Sequence, residues 1–182
     1  VAARKAIGPH TTIYVLNGPA PYEDPVYTAN ALTPVINTME QFQTLVTWIQ
    51  SGLKLRDGYV LHFDTGMNRL GLPASHAEQI AQSAEGHLPA LIMSHLISSE
   101  DHQASTNQDQ SASLSHLKDS FPDTPVSLAN SGGVWLGPGY HMNLTRPGIA
   151  LYGGGHPPEG LSLKPGLTLE APILQVRQIK TG

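Results

Sequence analysis

The sequence predicts an α/β fold of parallel strands alternating with helices, and three observations carry that expectation. Six short apolar runs, rich in β-branched and aromatic residues, are spread over the first 146 of 182 residues. Helical patterns or tight loops separate them. Arg69, His95, Asn130, Ser131 and Arg146 each follow the apolar part of a run, where a parallel sheet places its ligands.

Taken in order, Ala2 to Ile7 reads as the tail of a helix stopped by Gly8 and Pro9, and Thr12 to Leu16 (TIYVL) as a buried strand ended by Asn17 and Gly18. A proline-rich loop over 18–25 leads to a second strand, Leu32 to Ile36 (LTPVI), blemished by Pro34, which cannot donate to a ladder. Thr38 and Gln41 have the spacing of a capping box, and Met39, Phe42, Leu45, Val46 and Ile49 fall on one helical face before Gly52. Tyr59 to Phe63 is the third strand. At its C-terminal end stands the stretch HFDTGMNRLGL, His62 to Leu72.

Ser75 and Glu78 predict the cap of the next helix, with Ile80, Ala81 and Ala84 as apolar positions. Leu88 to His95 is the fourth strand, Gln103 to Lys118 a polar helix, and Pro125 to Ala129 a fifth strand running into Asn130, Ser131, Gly132 and Gly133. His141 to Arg146 reads as the sixth. After Gly155 the texture changes: Leu167 to Ile179 alternates at period two, with a shift near Pro172. The expected division is therefore 1–155 for the barrel-like part and 156–182 for the start of a separate β domain.

A hydrophobic content of 40% supports one real core, or one domain and the beginning of another. Ten basic residues against fourteen acidic ones leave a net charge of −4, and the basic residues are scattered, so no nucleic-acid partner is expected. The absence of cysteine removes disulfides, thiolate catalysis and cysteine-based zinc sites, and is compatible with the cytoplasm. No apolar run approaches the roughly 18 residues of a membrane helix, and Val1 to His10 lacks the core of a secretion signal, so no membrane partner is expected. The first residue is not methionine, a hint that the chain begins partway through something.

Among the chemistry-bearing residues, Asp64 and Arg69 bracket a glycine turn at a strand end, either as a site or as a salt-bridged surface loop. Ser131, Gly132 and Gly133 form either an anion cradle or an ordinary glycine loop, and Gly148 and Ile149 after Arg146 offer a second set of amide donors. His95 suits a base, a ligand or a satisfied core histidine. Nine histidines invite a metal reading, with His62 and Asp64 or Asp101 and His102 as ligands, but no HExxH-like cluster exists and no metal is expected. Ser131 lacks the GxSxG elbow of a hydrolase nucleophile.

The strings DTGMNRLG, MSHL followed by SSED, ANSGG and RPGIALYG, in this order and spacing, closely resemble bacterial alanine racemases through essentially the whole chain. These are fold-type III pyridoxal-phosphate enzymes. The resemblance implies a (β/α)8 TIM-type barrel, present here as about six of its eight β/α units, followed by the start of an all-β C-terminal domain. It implies that Arg69 bonds the phenolic oxygen of pyridoxal 5'-phosphate near the substrate carboxylate, and that Arg146 faces the pyridine nitrogen. A guanidinium keeps its proton at neutral pH, so that nitrogen would stay unprotonated and the electron sink would be weakened. His95 would sit beneath the ring in a network with Arg146; Ser131, Gly148 and Ile149 would hold the phosphate, with Asn130 close by and Leu16 as a wall.

One position departs from the pattern. Many members carry a carbamylated lysine two residues before the motif aspartate, and here that residue is His62. A neutral imidazole cannot supply the same charge, so Arg69 would be oriented otherwise, by Asn68 or a bound anion. The resemblance also implies two bases absent from this chain, a Schiff-base lysine on the first barrel strand and a tyrosine of the second domain donated across a homodimer. The 182 residues alone are therefore expected to be inactive and, with two open sheet edges, prone to aggregate. The implied activity is interconversion of L- and D-alanine, in the cytoplasm, for peptidoglycan precursors, with serine as a further possible substrate. A non-catalytic cofactor-homeostasis barrel is the rival, opposed by the β segment after Gly155. A decarboxylase of the same barrel type is opposed by Arg146.

Overall fold

Strands and helices alternate as expected in a computed structural model whose described residues are 2–84 and 87–180. Helix α1 (Ala2–Ile7), strand β1 (Ile13–Val15), α2 (Asp24–Ala29), β2 (Leu32–Ile36), α3 (Met39–Gln50) and β3 (Val60–Asp64) come first. Then follow β4 (Leu72–Pro73), α4 (Ala77–Ser83), β5 (Leu91–Met93), α5 (Ser105–Leu117), β6 (Val126–Ser127), α6 (Ser131–Trp135) and α7 (Pro138–His141). All pairing is parallel, in the order β1-β2-β3-β5-β6, with the two-residue β4 beside the end of β3. Helix α2 lies partly in what the sequence marks as loop, with Pro25 near its start, where a missing amide costs nothing.

The register gives the sheet two buried faces. Val35 opposes Val60, which opposes Leu91, and these pack with Met93, Tyr14 and Leu144 without a helix residue among them. Their neighbours along the strands, Ile36, Leu61, Phe63 and Ile92, enter a larger core with Phe42 and Leu45 of α3, Ile80 of α4, Leu114 and Leu117 of α5, and Phe121. Burial on both faces is why these strands read as unbroken apolar runs instead of alternating ones. Pro34 stays inside β2, opposite Val15 of the edge strand.

Thr38 caps α3 as its spacing predicts, its hydroxyl accepting from the Gln41 amide at 3.2 Å. The Gln41 side chain turns elsewhere: it accepts from the Asn37 amide at 2.8 Å and donates to the Asn17 carbonyl at 2.9 Å, tying the loop after β1 to the end of β2.

Two expectations are corrected. Ser75 caps nothing, because Ala74–His76 forms a 3-10 turn and α4 starts from His76 with no side-chain bond to its end. His141 to Arg146 is not a sixth strand. Pro138 starts a helix that consumes His141, Met142 breaks it at φ 51°, and a single bridge between Ser127 and Leu144 remains. The segment still runs beside β6, through Asn143 N to Val126 O at 2.9 Å and Arg146 N to Ala129 O at 2.8 Å. Leu167 to Ile179 forms no strand among the described residues, and Leu169, Ile173 and Leu174 are exposed, which leaves the β domain an expectation. A period-two segment gains its bonds only beside a partner edge, and none pairs with it. The last two residues of the expected 156–182 domain lie outside the described residues.

Leu61 is fully buried at the centre of the sheet. Leu61→Ala is expected to lower unfolding free energy by about 2–5 kcal/mol, the usual range for such a cavity, measured by urea denaturation of the full-length protein.

Candidate active site

The register that buries the lower strands lifts polar side chains into the mouth of the sheet. His62 opposes Met93, which opposes Ser127, which bridges to Leu144. Asn37, two residues beyond Val35, comes level with His62, and one further step of two brings up Asp64, His95, Ala129 and Arg146. On one face, an apolar layer therefore gives way to Asn37 and His62 and then to His95 and Arg146.

His62 is buried, with Nδ1 2.7 Å from Asn37 Oδ1. The Asn37 amide nitrogen donates to the carbonyls of Leu16 at 3.0 Å and Val35 at 3.1 Å, so its oxygen must accept and the His62 proton sits on Nδ1. Burial first, then the charges of Arg146, His95 and Arg69, push His62 down to about 4. His95 is pushed down to about 4 as well, by burial and then by Arg146 and Arg69. Both rings are neutral at physiological pH. Asn130 caps α6, accepting from Gly133 N at 2.9 Å, while its amide nitrogen donates to Leu96 O at 3.1 Å and lies 3.3 Å from His95 Nε2.

Arg146 is held by the ends of two strands. Nη1 donates to Ser127 Oγ and Nη2 to the Ser94 carbonyl, and the Ser127 hydroxyl donates in turn to Leu144 O at 2.6 Å. Burial lowers Arg146 to about 10, which leaves it a cation at neutral pH. Its direct partners are thus serines, and His95 pairs with Asn130 instead of joining Arg146 in one bonded network.

The loop carrying Arg69 is fixed from below. Burial acts to raise the Asp64 carboxyl, but the amides of Gly66, Asn68 and Met67, at 2.9–3.1 Å from Oδ1, outweigh it and hold the group below the ordinary carboxylate range. Gly71, at φ 125°, packs so closely that a Cβ would lie 2.5 Å from Asp64 N. Asp64 is consumed by its own loop, so it forms no salt bridge with Arg69. The exposed guanidinium of Arg69 makes no hydrogen bond among the described residues, and the Asn68 side chain turns to Gly66 O at 3.4 Å. The salt-bridged surface loop is therefore not what forms.

An open cleft of about 200 Å³ gathers His95, Asn130, Ser131, Arg146, Gly148 and Ile149, so six of the seven expected binding residues converge and Arg69 stands apart on its loop. Ser131 Oγ accepts from Gly148 N at 2.8 Å and Ala150 N at 3.2 Å. With both lone pairs engaged, its hydrogen is left to donate, and the amides of Ser131 and Gly132, as first helical positions, have no acceptor within α6. Gly132 permits a close wall, since a Cβ there would meet Ser99 Oγ at 2.6 Å. Glu100 also lines the cleft, and the free hydroxyl hydrogen and helix-end amides on its Ser131 side, beside the Arg146 cation, suit an anion such as a phosphate ester. Among the described residues no group of three or more His, Asp or Glu could hold a metal, and no helix is long and apolar enough to cross a membrane.

Asn37, Ser127 and Gln110 were not marked by the sequence. Asn37 ends a strand, the same signal that marked its neighbours. Gln110 is buried in the polar helix α5, on the face that also carries Asn107, Leu114 and Leu117, and a glutamine repeating at apolar spacing is readable as a strut. It accepts from Ile97 N at 3.0 Å and donates to His95 O at 2.9 Å and Thr65 Oγ1 at 3.3 Å.

Residues 1–156 match the family model described as alanine racemase, N-terminal domain. Alanine racemases of Methylobacterium nodulans and Rhizobium meliloti are 38% and 39% identical over 98% and 96% of this chain, and over 49% and 46% of their own lengths. The crystal structure of alanine racemase from Bartonella henselae, with covalently bound pyridoxal phosphate, superposes with a TM-score of 0.74 at 32% identity, covering 82% of this chain and 44% of that one. The chain thus spans about half the length of the curated relatives it matches.

Two histidines held near 4 against an unfolded value of 6.5 mean that the unfolded chain binds more protons between those limits. Stability is expected to fall as pH drops from 6.5 to 4 and to stop falling on this account below 4. His62→Gln should make that slope shallower, as read from urea midpoints across the range.

Proposed function

The chain belongs to the alanine racemase N-terminal-domain family, and from that premise we propose that the complete protein is a pyridoxal-phosphate-dependent racemase interconverting L- and D-alanine. It acts as a cytoplasmic homodimer and supplies D-alanine for peptidoglycan. The observation that carries this is the cleft in which Ser131, Gly148, Ile149 and Arg146 converge at the strand ends.

The donor set fits the cofactor. Ser131 offers a hydroxyl hydrogen and the amides of Gly132 and Ile149 border the same cleft, so these residues would hold the phosphate, with Gly148 N fixing the Ser131 hydroxyl and Asn130 bracing the turn. On this reading Arg146 would serve the pyridine nitrogen, His95 the ring, and Arg69, from its separate loop, the phenolic oxygen. When bound, pyridoxal phosphate supplies an electron sink for the bond to the amino acid's α-hydrogen. Arg146, at about 10, donates a hydrogen bond without surrendering its proton, which keeps the sink modest and favours return of the proton to the same carbon. His62 and His95, neutral at pH 7, add acceptors and donors without further positive charge beside the arginines.

The reaction needs two proton-transferring bases, which the resemblance gives as a lysine and a tyrosine. Among the described residues, no lysine stands at the C-terminal end of a strand: Lys5 is in α1, Lys54 precedes β3, Lys118 caps α5, and Lys164 and Lys180 follow the last helix.

Full-length protein with added cofactor is expected to form D-alanine from L-alanine faster than D-serine from L-serine, measured by chiral chromatography. Arg146→Gln should lower kcat by on the order of 10²–10³, the cost of one electrostatic donor in an active site. Ser131→Ala should weaken cofactor retention by about 10- to 100-fold, as expected for a hydrogen bond to a charged group. Absence of D-alanine from the loaded full-length protein, or unchanged behaviour of both variants, overturns the assignment.

A further inference from the structure

The chain that carries His95 leaves the sheet before it reaches the cleft. Strand β5 ends at Met93, and the Ser94 amide still donates to Ser127 O at 3.0 Å. Beyond that point side-chain amides take over from strand pairing. Gln110 Nε2 donates to His95 O at 2.9 Å, Asn130 Nδ2 donates to Leu96 O at 3.1 Å, and Gln110 Oε1 accepts from Ile97 N at 3.0 Å. Three consecutive residues are thus held by two amides, Asn130 from the cleft and Gln110 from helix α5 behind it.

Two of those three bonds come from Gln110, which is buried. Its Nε2 and Oε1 share one rigid plane, so bonding His95 O and Ile97 N together fixes the course of the backbone between them. The second Nε2 hydrogen goes to Thr65 Oγ1 at 3.3 Å, which leaves the Thr65 proton for Ser94 Oγ at 2.7 Å. Ser94 gives its carbonyl to Arg146. Neither Gln110 nor Thr65 lines the cleft, so whatever they contribute there is exerted through His95 and Arg146.

We propose that Gln110 and Thr65 are positioning residues for the site: Gln110 clamps the backbone on either side of Leu96 so that the His95 ring points into the cleft, and Thr65 extends the hold to Ser94, whose carbonyl orients Arg146. The effect on turnover rests on the reading of His95 and Arg146 as cofactor contacts; the clamp on the backbone does not.

Gln110→Met keeps the length of the side chain and removes all three of its bonds. In cofactor-free full-length protein labelled with ¹³C-histidine, His95 is expected to titrate near 4 in the wild type and measurably closer to 6.5 in Gln110→Met, because a ring released from its course gains water. A loss of overall stability alone would not move that titration in the folded protein. With pyridoxal phosphate bound, Gln110→Met and Thr65→Val should each lower kcat by about 10- to 100-fold, the scale of a small misplacement of groups at the site, with little change in KM for L-alanine. Thr65→Ser, which restores the hydroxyl that Thr65→Val removes, should return kcat to the wild-type value. A His95 titration unmoved by Gln110→Met, a wild-type kcat in Gln110→Met or Thr65→Val, or a Thr65→Ser as slow as Thr65→Val overturns the positioning role. If Gln110→Met does not fold, the two Thr65 variants decide alone. A wild type that does not racemise alanine overturns the functional reading instead, and the His95 titration still decides the clamp.

Discussion

One parallel register sets the height of every side chain in the site. Because β2, β3, β5 and β6 are locked with Val35 against Val60 against Leu91, and Met93 against Ser127, each step of two residues moves one layer up the same face. A slip by one residue in β3 would send His62 towards the helices and Leu61 into the mouth. The large core outside the sheet resists that slip, since Leu61, Phe63 and Ile92 are fully or almost fully buried there against α3, α4 and α5. Hydrophobic packing on the helix side is therefore what aligns polar groups on the other side.

The strand cores were legible in the sequence because both faces are buried, so composition alone marked them. Their ends were also legible, since polar residues after an apolar run name the mouth, and His95, Asn130, Ser131 and Arg146 meet there. Less visible was anything settled by a competing local preference. Ser75 lost its cap to a 3-10 turn, and the run before Arg146 lost its strand to Pro138 and the left-handed Met142. Contacts made by side chains distant in sequence, such as Asn37 with His62 across 25 positions, leave no periodic trace at all.

The Asp64 loop illustrates how a charged pair in sequence can separate in space. A carboxylate beside a glycine turn is drawn to the nearest unbonded amides, and three of them lie within four residues. Their combined pull exceeds what an exposed ion pair offers, which is about 0–1 kcal/mol. Arg69 is consequently left to groups outside its own loop. The mouth therefore holds two guanidiniums and two neutral imidazoles, with no carboxylate bonded to either arginine among the described residues.

Helix α5 carries the site's least conspicuous constraint. Its composition is polar, and its apolar face is interrupted by Asn107 and Gln110, both buried. Leucines there would have packed equally well against Leu114 and would have left Ile97 N and His95 O without partners. Gln110 satisfies both and reaches Thr65 besides, joining the loop after β3 to the loop after β5 through one side chain. Thr65 in turn pairs with Ser94 Oγ at 2.7 Å, and the Ser94 carbonyl receives Arg146. A continuous set of bonds thus runs from a helix outside the sheet to the buried cation inside its mouth. The polarity of α5, which reads as a weak helix when taken alone, is the means by which the loops after β3 and β5 are held at a fixed separation.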